Sequence, residues 1–149
     1  MFLQETYSIE DCTYYDSTSH TSTETVDIPL PSAFELSFKV RRTTTNTNAS
    51  YLEIGGNSGN TALFGQVGSS GISQLRLYNS EGSSSYTNVE LGNNSTGTDT
   101  HYTWIKNGSS NTVSMDSTTQ TTTNSLTHSK IRKLSITNNV IKELKIKPL

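Results

Sequence analysis

The feature that most constrains this chain is the stretch His101–Asp116, HYTWIKNGSSNTVSMD, in which apolar side chains come at every second position on both sides of a turn. Period-two alternation places Tyr102 and Trp104 on one face of a strand, and Val113 and Met115 repeat the pattern on the return arm. Asn107-Gly108 between them is a strong hairpin signal, because both residues tolerate the positive φ of a tight turn. The hairpin carries the chain's one tryptophan. A large aromatic in such a place is expected in a core.

The same period recurs along the chain. Val26, Ile28 and Leu30 alternate up to the proline-bearing PLPS, and Phe34, Leu36, Phe38 and Val40 face in while Glu35, Ser37 and Lys39 face out. Leu52 with Ile54, Ala62–Val67, Leu75 with Leu77, and Val89 with Leu91 mark further short strands between Gly- and Asn-rich turns. Ile131, Leu134, Ile136 and the segment Val140–Leu149 complete the series, with Leu144 and Ile146 in the core. Residues 1–20 read as a partly irregular lead-in with one strand, and Ser117–Thr127 as a long Thr-rich loop. No segment keeps apolar residues at helical spacing for three turns. About ten to twelve short strands with turns every 8–12 residues predict one all-β domain over residues 1–149, an antiparallel β-sandwich.

Composition decides whether such a chain folds at all. Apolar residues make up only 30%, and Ser, Thr and Asn fill about two positions in five. Disordered chains, however, combine low hydrophobicity with high net charge and few aromatics. Here the net charge is −2, with seven Tyr, four Phe and one Trp. A folded β domain follows.

The single cysteine, Cys12, rules out an intramolecular disulfide and any CxxC motif. The start MFLQETYSIED has neither a basic segment nor a long apolar run, so no signal peptide is expected, and no later segment suits membrane insertion. The sequons at Asn48, Asn93, Asn94 and Asn107 are what chance supplies in so Asn-, Ser- and Thr-rich a chain. His20, His101 and His128 show no metal-binding spacing. His101 is expected to hydrogen-bond at a strand edge. Asp11, Asp16, Asp27, Asp99 and Asp116 are oxygen ligands in kind, but no Asp-x-Asp-x-Asp run organises them for calcium, so no cofactor is expected. Lys130-Ile-Arg-Lys133 and Lys142–Lys147 give a basic C-terminal end, whose alternating lysines read as protection of a final edge strand. With the chain at −2, no nucleic-acid partner is expected.

The order His101, Tyr102, Trp104, Asn107-Gly108, Val113, Met115, Asp116, closed by Ile141-Lys-Glu-Leu-Lys-Ile-Lys147, resembles the concanavalin A-like jelly roll in its laminin G and pentraxin-like branch. Ser117 stands where that family usually has a glycine after the aspartate. The resemblance implies a jelly-roll sandwich whose last strand returns beside the first ones. Glycosidases of that fold carry Glu-x-Asp-x-x-Glu on one strand, whereas Glu35, Glu53, Glu81 and Glu90 stand isolated. Paired carboxylates are what glycoside hydrolysis needs, so an enzyme ranks third. The Thr- and Asn-rich style resembles accessory domains of phage tail and other virion proteins that bind host surface glycans.

A binding module for a surface glycan or polysaccharide therefore ranks first, in a virion or extracellular surface assembly. A purely structural domain that spaces or oligomerises a fibre ranks second. Sugars present an apolar face and a ring of hydroxyls, which exposed aromatics beside Asn and Asp can meet. Tyr78, on the outward phase, and Tyr86, between two polar loops, fit best, with Asn93, Asn94 and Asp99 in the neighbouring loop. Contacts of that kind are aromatic and neutral. A homo-oligomer or a larger assembly would present several copies.

Overall fold

The computed structural model describes residues 3–9, 12–17, 24–42, 49–66, 72–93, 97–134 and 139–149. Among them it forms thirteen strands and no helix: β1 (Leu3–Ile9), β2 (Cys12–Ser17), β3 (Glu24–Pro29), β4 (Phe34–Arg42), β5 (Ala49–Gly55), β6 (Asn60–Gln66), β7 (Ile72–Tyr78), β8 (Tyr86–Asn93), β9 (Asp99–Asn107), β10 (Ser110–Met115), β11 (Thr118–Thr123), β12 (Lys130–Leu134) and β13 (Asn139–Pro148). They make a seven-stranded sheet, β1-β2-β13-β4-β9-β10-β11, and a six-stranded sheet, β3-β12-β5-β6-β7-β8. Every pairing is antiparallel. Their apolar faces enclose one core, the antiparallel β-sandwich that the alternation predicts, of the jelly-roll type that the resemblance implies.

The hairpin sits at the centre of the larger sheet's core face. Trp104 and Tyr102 are fully buried with Phe34, Phe38, Phe64 and Tyr51. Phe38 stacks on Tyr102 at 5.3 Å, and Trp104 meets the edge of Phe34 at 5.0 Å. Each polar tip of the buried pair has a partner, as burial requires: the Trp104 indole N–H donates to Asn111 Oδ1 at 2.9 Å, and the Tyr102 hydroxyl meets Ser73 Oγ at 2.9 Å.

Four local expectations are corrected. The turn residues are Gly108-Ser109, because Asn107 pairs with Ser110; Gly108 alone takes positive φ (61°), as in a turn with glycine at its first central position. The pairing sum shifts by two, so every side chain keeps its face. Ser117–Thr127 contains the strand β11, invisible to alternation because this edge strand is largely exposed. Residues 1–20 hold two paired strands where one irregular strand is expected. Strand β13 lies inside its sheet, between β2 and β4, so its lysines guard no edge, and β9, which carries the exposed His101, is likewise interior. Val67, Ile136, Asp11 and His20 lie outside the described residues.

Asp116 takes over the role of the missing glycine. Its φ is 51°, in the left-handed region that aspartate tolerates better than most residues. Its carboxylate accepts from the His101 N–H at 3.0 Å while its own N–H donates to the His101 carbonyl at 2.8 Å.

Strand β12 carries the irregularity that matters most for the surface. Its pairing with β5 and with β3 shifts between Ile131 and Lys133. Ile131 and Leu134, three positions apart, are both fully buried. The bulge thus lets Arg132 and Lys133 both leave the core, which a regular strand forbids.

Candidate functional site

The outer face of the six-stranded sheet is built from the alternate residues that the core does not take. Thr25, Lys133, Glu53, Leu63, Arg76 and Asn88 form one row in register across all six strands. One step along, Tyr78 pairs with Tyr86 across β7 and β8. Their rings meet edge to face, 5.9 Å apart at 78°. The Arg76 guanidinium lies 3.8 Å from the centroid of the Tyr86 ring, and its Nε donates to Asn88 Oδ1 at 3.1 Å. This sandwich of cation and ring holds Tyr86 upright. At 44% exposure Tyr86 is one of two large hydrophobic residues open to solvent among the described residues, and the other, Leu149, ends the chain.

The aromatic pair stands beside two interlocked loops. Glu81, in the β7–β8 loop, accepts from Ser58 N–H, Ser58 Oγ and Gly59 N–H, each at 3.1 Å, in the β5–β6 loop. The Ser58 amide and hydroxyl, with that of Gly59 and the positive Arg132, hold its carboxyl below the usual range. Gly59 fits because a Cβ there would sit 2.8 Å from Gly82 Cα. The Gly82 N–H in turn donates to the Asn60 carbonyl at 3.0 Å.

From Asn60 a polar chain runs across the same face. Asn60 Nδ2 donates to Glu53 Oε1 at 3.0 Å, and Arg132 donates to Asn60 Oδ1 at 2.8 Å. Lys133 Nζ lies 3.3 Å from Glu53. Lys130 donates to Asn57 Oδ1 at 3.0 Å and lies 3.4 Å from Asp27. Of these side chains Glu53, Asn57, Lys130, Arg132 and Lys133 line a cleft of about 230 Å³ over β3, β12 and β5.

Of the candidate residues read from sequence, the fold brings Tyr78 and Tyr86 into contact. It separates them from the others. Asn93 is exposed at the far end of β8, opposite Ile72, and seven residues of extended strand put it roughly 23 Å from Tyr86. Asp99 belongs to the other sheet, where it holds Lys142 at 2.8 Å and Arg41 at 3.1 Å. The Lys142 contact, then Arg41, keeps its carboxyl below the usual range. Asn94 lies outside the described residues. The described candidates thus stand in three places: Tyr78 with Tyr86 at one end of the β7–β8 pair, Asn93 at the other, and Asp99 in the second sheet.

The structure adds Arg76, Asn88 and Asn60, none of which stands out in sequence, and the β12 cations, which sequence shows only as part of a basic C-terminal end. The alternation of β7 could have paired Arg76 with Tyr78 on one face. The bulge that exposes both Arg132 and Lys133 leaves only the odd three-residue spacing of Ile131 and Leu134. Among the described residues no group of three His, Cys, Asp or Glu side chains is placed to hold a metal ion.

No protein-family model and no curated protein matches the chain. Solved structures do. The carbohydrate-binding module CBM66 from Bacillus subtilis superposes with a TM-score of 0.55 at 8% identity, over 96% of this chain and 89% of that one. Chicken galectin 2 gives 0.58 at 10%, over 87% and 100%. Alginate lyase A1-II', a member of polysaccharide lyase family 7, gives 0.58 at 10%, over 95% and 85%. At these identities the likeness is one of fold.

Proposed function

We propose that this protein is a non-catalytic carbohydrate-binding module whose ligand lies on the outer face of the six-stranded sheet, with Tyr78 and Tyr86 as its aromatic platform. The observation that carries this reading is the Tyr78–Tyr86 pair. Two adjacent strands hold an exposed ring in place by an edge contact with Tyr78 and a guanidinium at 3.8 Å. A buried aromatic pair would serve packing, but Tyr86 stays 44% exposed. An ordered ring in water offers apolar area at little entropic cost, and Asn88, two positions along the same strand, supplies an amide for hydroxyls. That a carbohydrate-binding module and a galectin share the fold supports the reading.

Binding is favoured over hydrolysis by the state of Glu81, the carboxylate of the loop that joins the strands of Tyr78 and Tyr86. A glycosidic general acid needs a raised pKa. Glu81 is held low instead, by three hydrogen bonds that tie two loops together. The wider setting in this proposal is an accessory domain of a virion or extracellular surface assembly, presented in several copies, which rests on the Thr- and Asn-rich resemblance.

A glycan array probed with a multimerised chain tests the reading, with Tyr86→Ala and Tyr78→Ala beside it. Loss of one stacking aromatic should weaken binding about tenfold or more, from about 1.5 kcal/mol of ring contact. Binding that survives both substitutions rejects this site. Release of reducing sugar from a bound polysaccharide would make the protein an enzyme. A stable oligomer that binds no glycan would favour the structural alternative.

A further inference from the structure

We infer that the ligand of this face is an acidic glycan, and that its carboxylate or sulfate seats in the cleft over β12, on Arg132 with Lys130 and Lys133. The inference rests on the carbohydrate-binding reading and names the class of sugar.

It starts from the bulge. A regular strand would send one of Arg132 and Lys133 inward; the shift after Ile131 turns both to the surface, next to Lys130. Three cations among four successive residues then line one cleft of about 230 Å³. Bulges recur where a strand must re-aim a side chain at a ligand. A Cβ at Gly55 would meet the Gly59 carbonyl oxygen at 2.1 Å first, with Arg132 Cδ behind it at 3.1 Å, so the backbone here is close-packed beneath the arginine.

The acidic groups facing this cleft are Asp27, Glu53 and Glu81. They leave the cations unequally satisfied. Lys133 has Glu53 at 3.3 Å, and Lys130 has Asp27 at 3.4 Å, whose own side chain is 78% exposed. An ion pair so exposed is weak and exchanges readily. Glu81 is committed to Ser58 and Gly59. Arg132 donates to the neutral Asn60 and makes no ion pair among the described residues. A partly buried guanidinium whose hydrogen-bond partner is an amide, and which Glu81 reaches only through its field, suits an incoming carboxylate or sulfate, whose oxygens match its planar donors.

Position links the cleft to the platform. Strand β12 stands four places from β8 in the sheet order, so Arg132 and Tyr86 lie about 19 Å apart on one face at the usual strand spacing. An oligosaccharide of several residues spans that distance, with its acidic sugar at the β12 end. A polynucleotide fits less well. It needs cations along its whole length, and the one at the other end, Arg76, is already spent on Tyr86 and Asn88.

The test is an array of uronate, sialate and sulfate-ester oligosaccharides beside their carboxyl-reduced, desialylated and desulfated parents, probed with the whole chain. Binders should be acidic, and the neutral parents should bind at least tenfold more weakly. Which acid leads separates a carboxylate from a sulfate. Affinity should fall as NaCl rises from about 50 to about 500 mM, since screening weakens such contacts. Arg132→Gln keeps a donor for Asn60 and should weaken acidic ligands about tenfold while leaving thermal stability in place. Asp27→Asn frees Lys130 and should tighten them two- to threefold, a gain that mere structural damage cannot produce. If neutral parents bind as well as acidic ones, or Arg132→Gln has no effect while Tyr86→Ala abolishes binding, the acidic subsite is wrong and the module reading stands. If nothing on the array binds, the module reading itself fails. Single-stranded DNA binding as tightly as the best acidic glycan would overturn the inference.

Discussion

Trp104 and His128 show what single residues reveal and conceal. Trp104 announces itself: one tryptophan, in phase with Tyr102, in the strongest hairpin of the chain. It is fully buried, and its N–H is bonded to Asn111. Trp104→Ala should cost about 3–5 kcal/mol through lost burial and the cavity left behind; chemical denaturation measures it, and an unchanged midpoint would place the ring outside the core. His128 announces nothing, because its neighbours come from distant parts of the chain. The fold sets its ring 4.9 Å from that of Trp104 and its Nδ1 2.7 Å from Thr61 Oγ1. The Thr61 hydroxyl gives its hydrogen to the Ile54 carbonyl, so it accepts from Nδ1–H and fixes the neutral tautomer. Nε2 is then the atom a proton would have to join, and it is buried without a partner. Burial, with a smaller push from Lys106, lowers the pKa from 6.5 to about 3.

The sign follows. A histidine depressed in the folded state takes its proton more readily when unfolded, so the stability it allows is complete above about pH 6.5 and declines as pH falls towards 3. The loss is about 1.4 kcal/mol per pH unit in that interval. His128→Phe keeps the ring's bulk and leaves Thr61 its bond to Ile54. Unfolding free energies measured from pH 7 to pH 4.5 should fall less steeply in the variant, by about one proton's worth of slope. Parallel profiles would mean that His128 already carries its proton in the fold.

Elements were readable where one face is buried and unreadable where none is. The four alternating residues of β4 are all fully buried, as their period requires. Strand β11 is nearly all threonine and largely exposed, so it has β-propensity without alternation and reads as a loop. The reversed case is β13, whose alternating lysines suggest an edge although the strand is central. Lys142 faces Asp99 at 2.8 Å, and Glu143, bulged out at φ 53°, meets Lys39 at 2.8 Å. Lys142 answers an acid on the outer face rather than protecting a border. Removal of Glu143–Leu149 should therefore do more than strip an edge. It takes Leu144 and Ile146 from the core and parts β4 from β2. The truncated chain should lose cooperative unfolding, seen in its thermal melt by circular dichroism. A sharp transition near the full chain's would show that β1 and β2 hold without it.

At the scale of the molecule, the class of fold follows from local patterns, because alternation and turns are local. The site does not, because it depends on which strands become neighbours. Tyr78 and Tyr86 meet across a single hairpin, and sequence could pair them. Asp99, close to Asn93 along the chain, crosses to the other sheet. Arg132 reaches the same face as Arg76 from 56 positions away in the numbering, through sheet order alone. The proposed site is an open sheet face rather than an enclosed pocket, which bears on affinity. Tight small-ligand sites bury most of the ligand, whereas an open sheet face buries one side. A single copy should therefore bind weakly and release quickly, with useful attachment coming from several copies acting together. Presentation on a tetrameric carrier should raise apparent affinity for a glycan-coated surface by about 10²–10⁴-fold over the monomer, without new contacts. Surface plasmon resonance on one glycan at high and low density measures it: the gain should vanish at low density, where neighbouring ligands lie out of reach. A monomer as tight as the tetramer at both densities would show that one copy encloses its ligand, and the open platform of Tyr78 and Tyr86 would no longer describe the site.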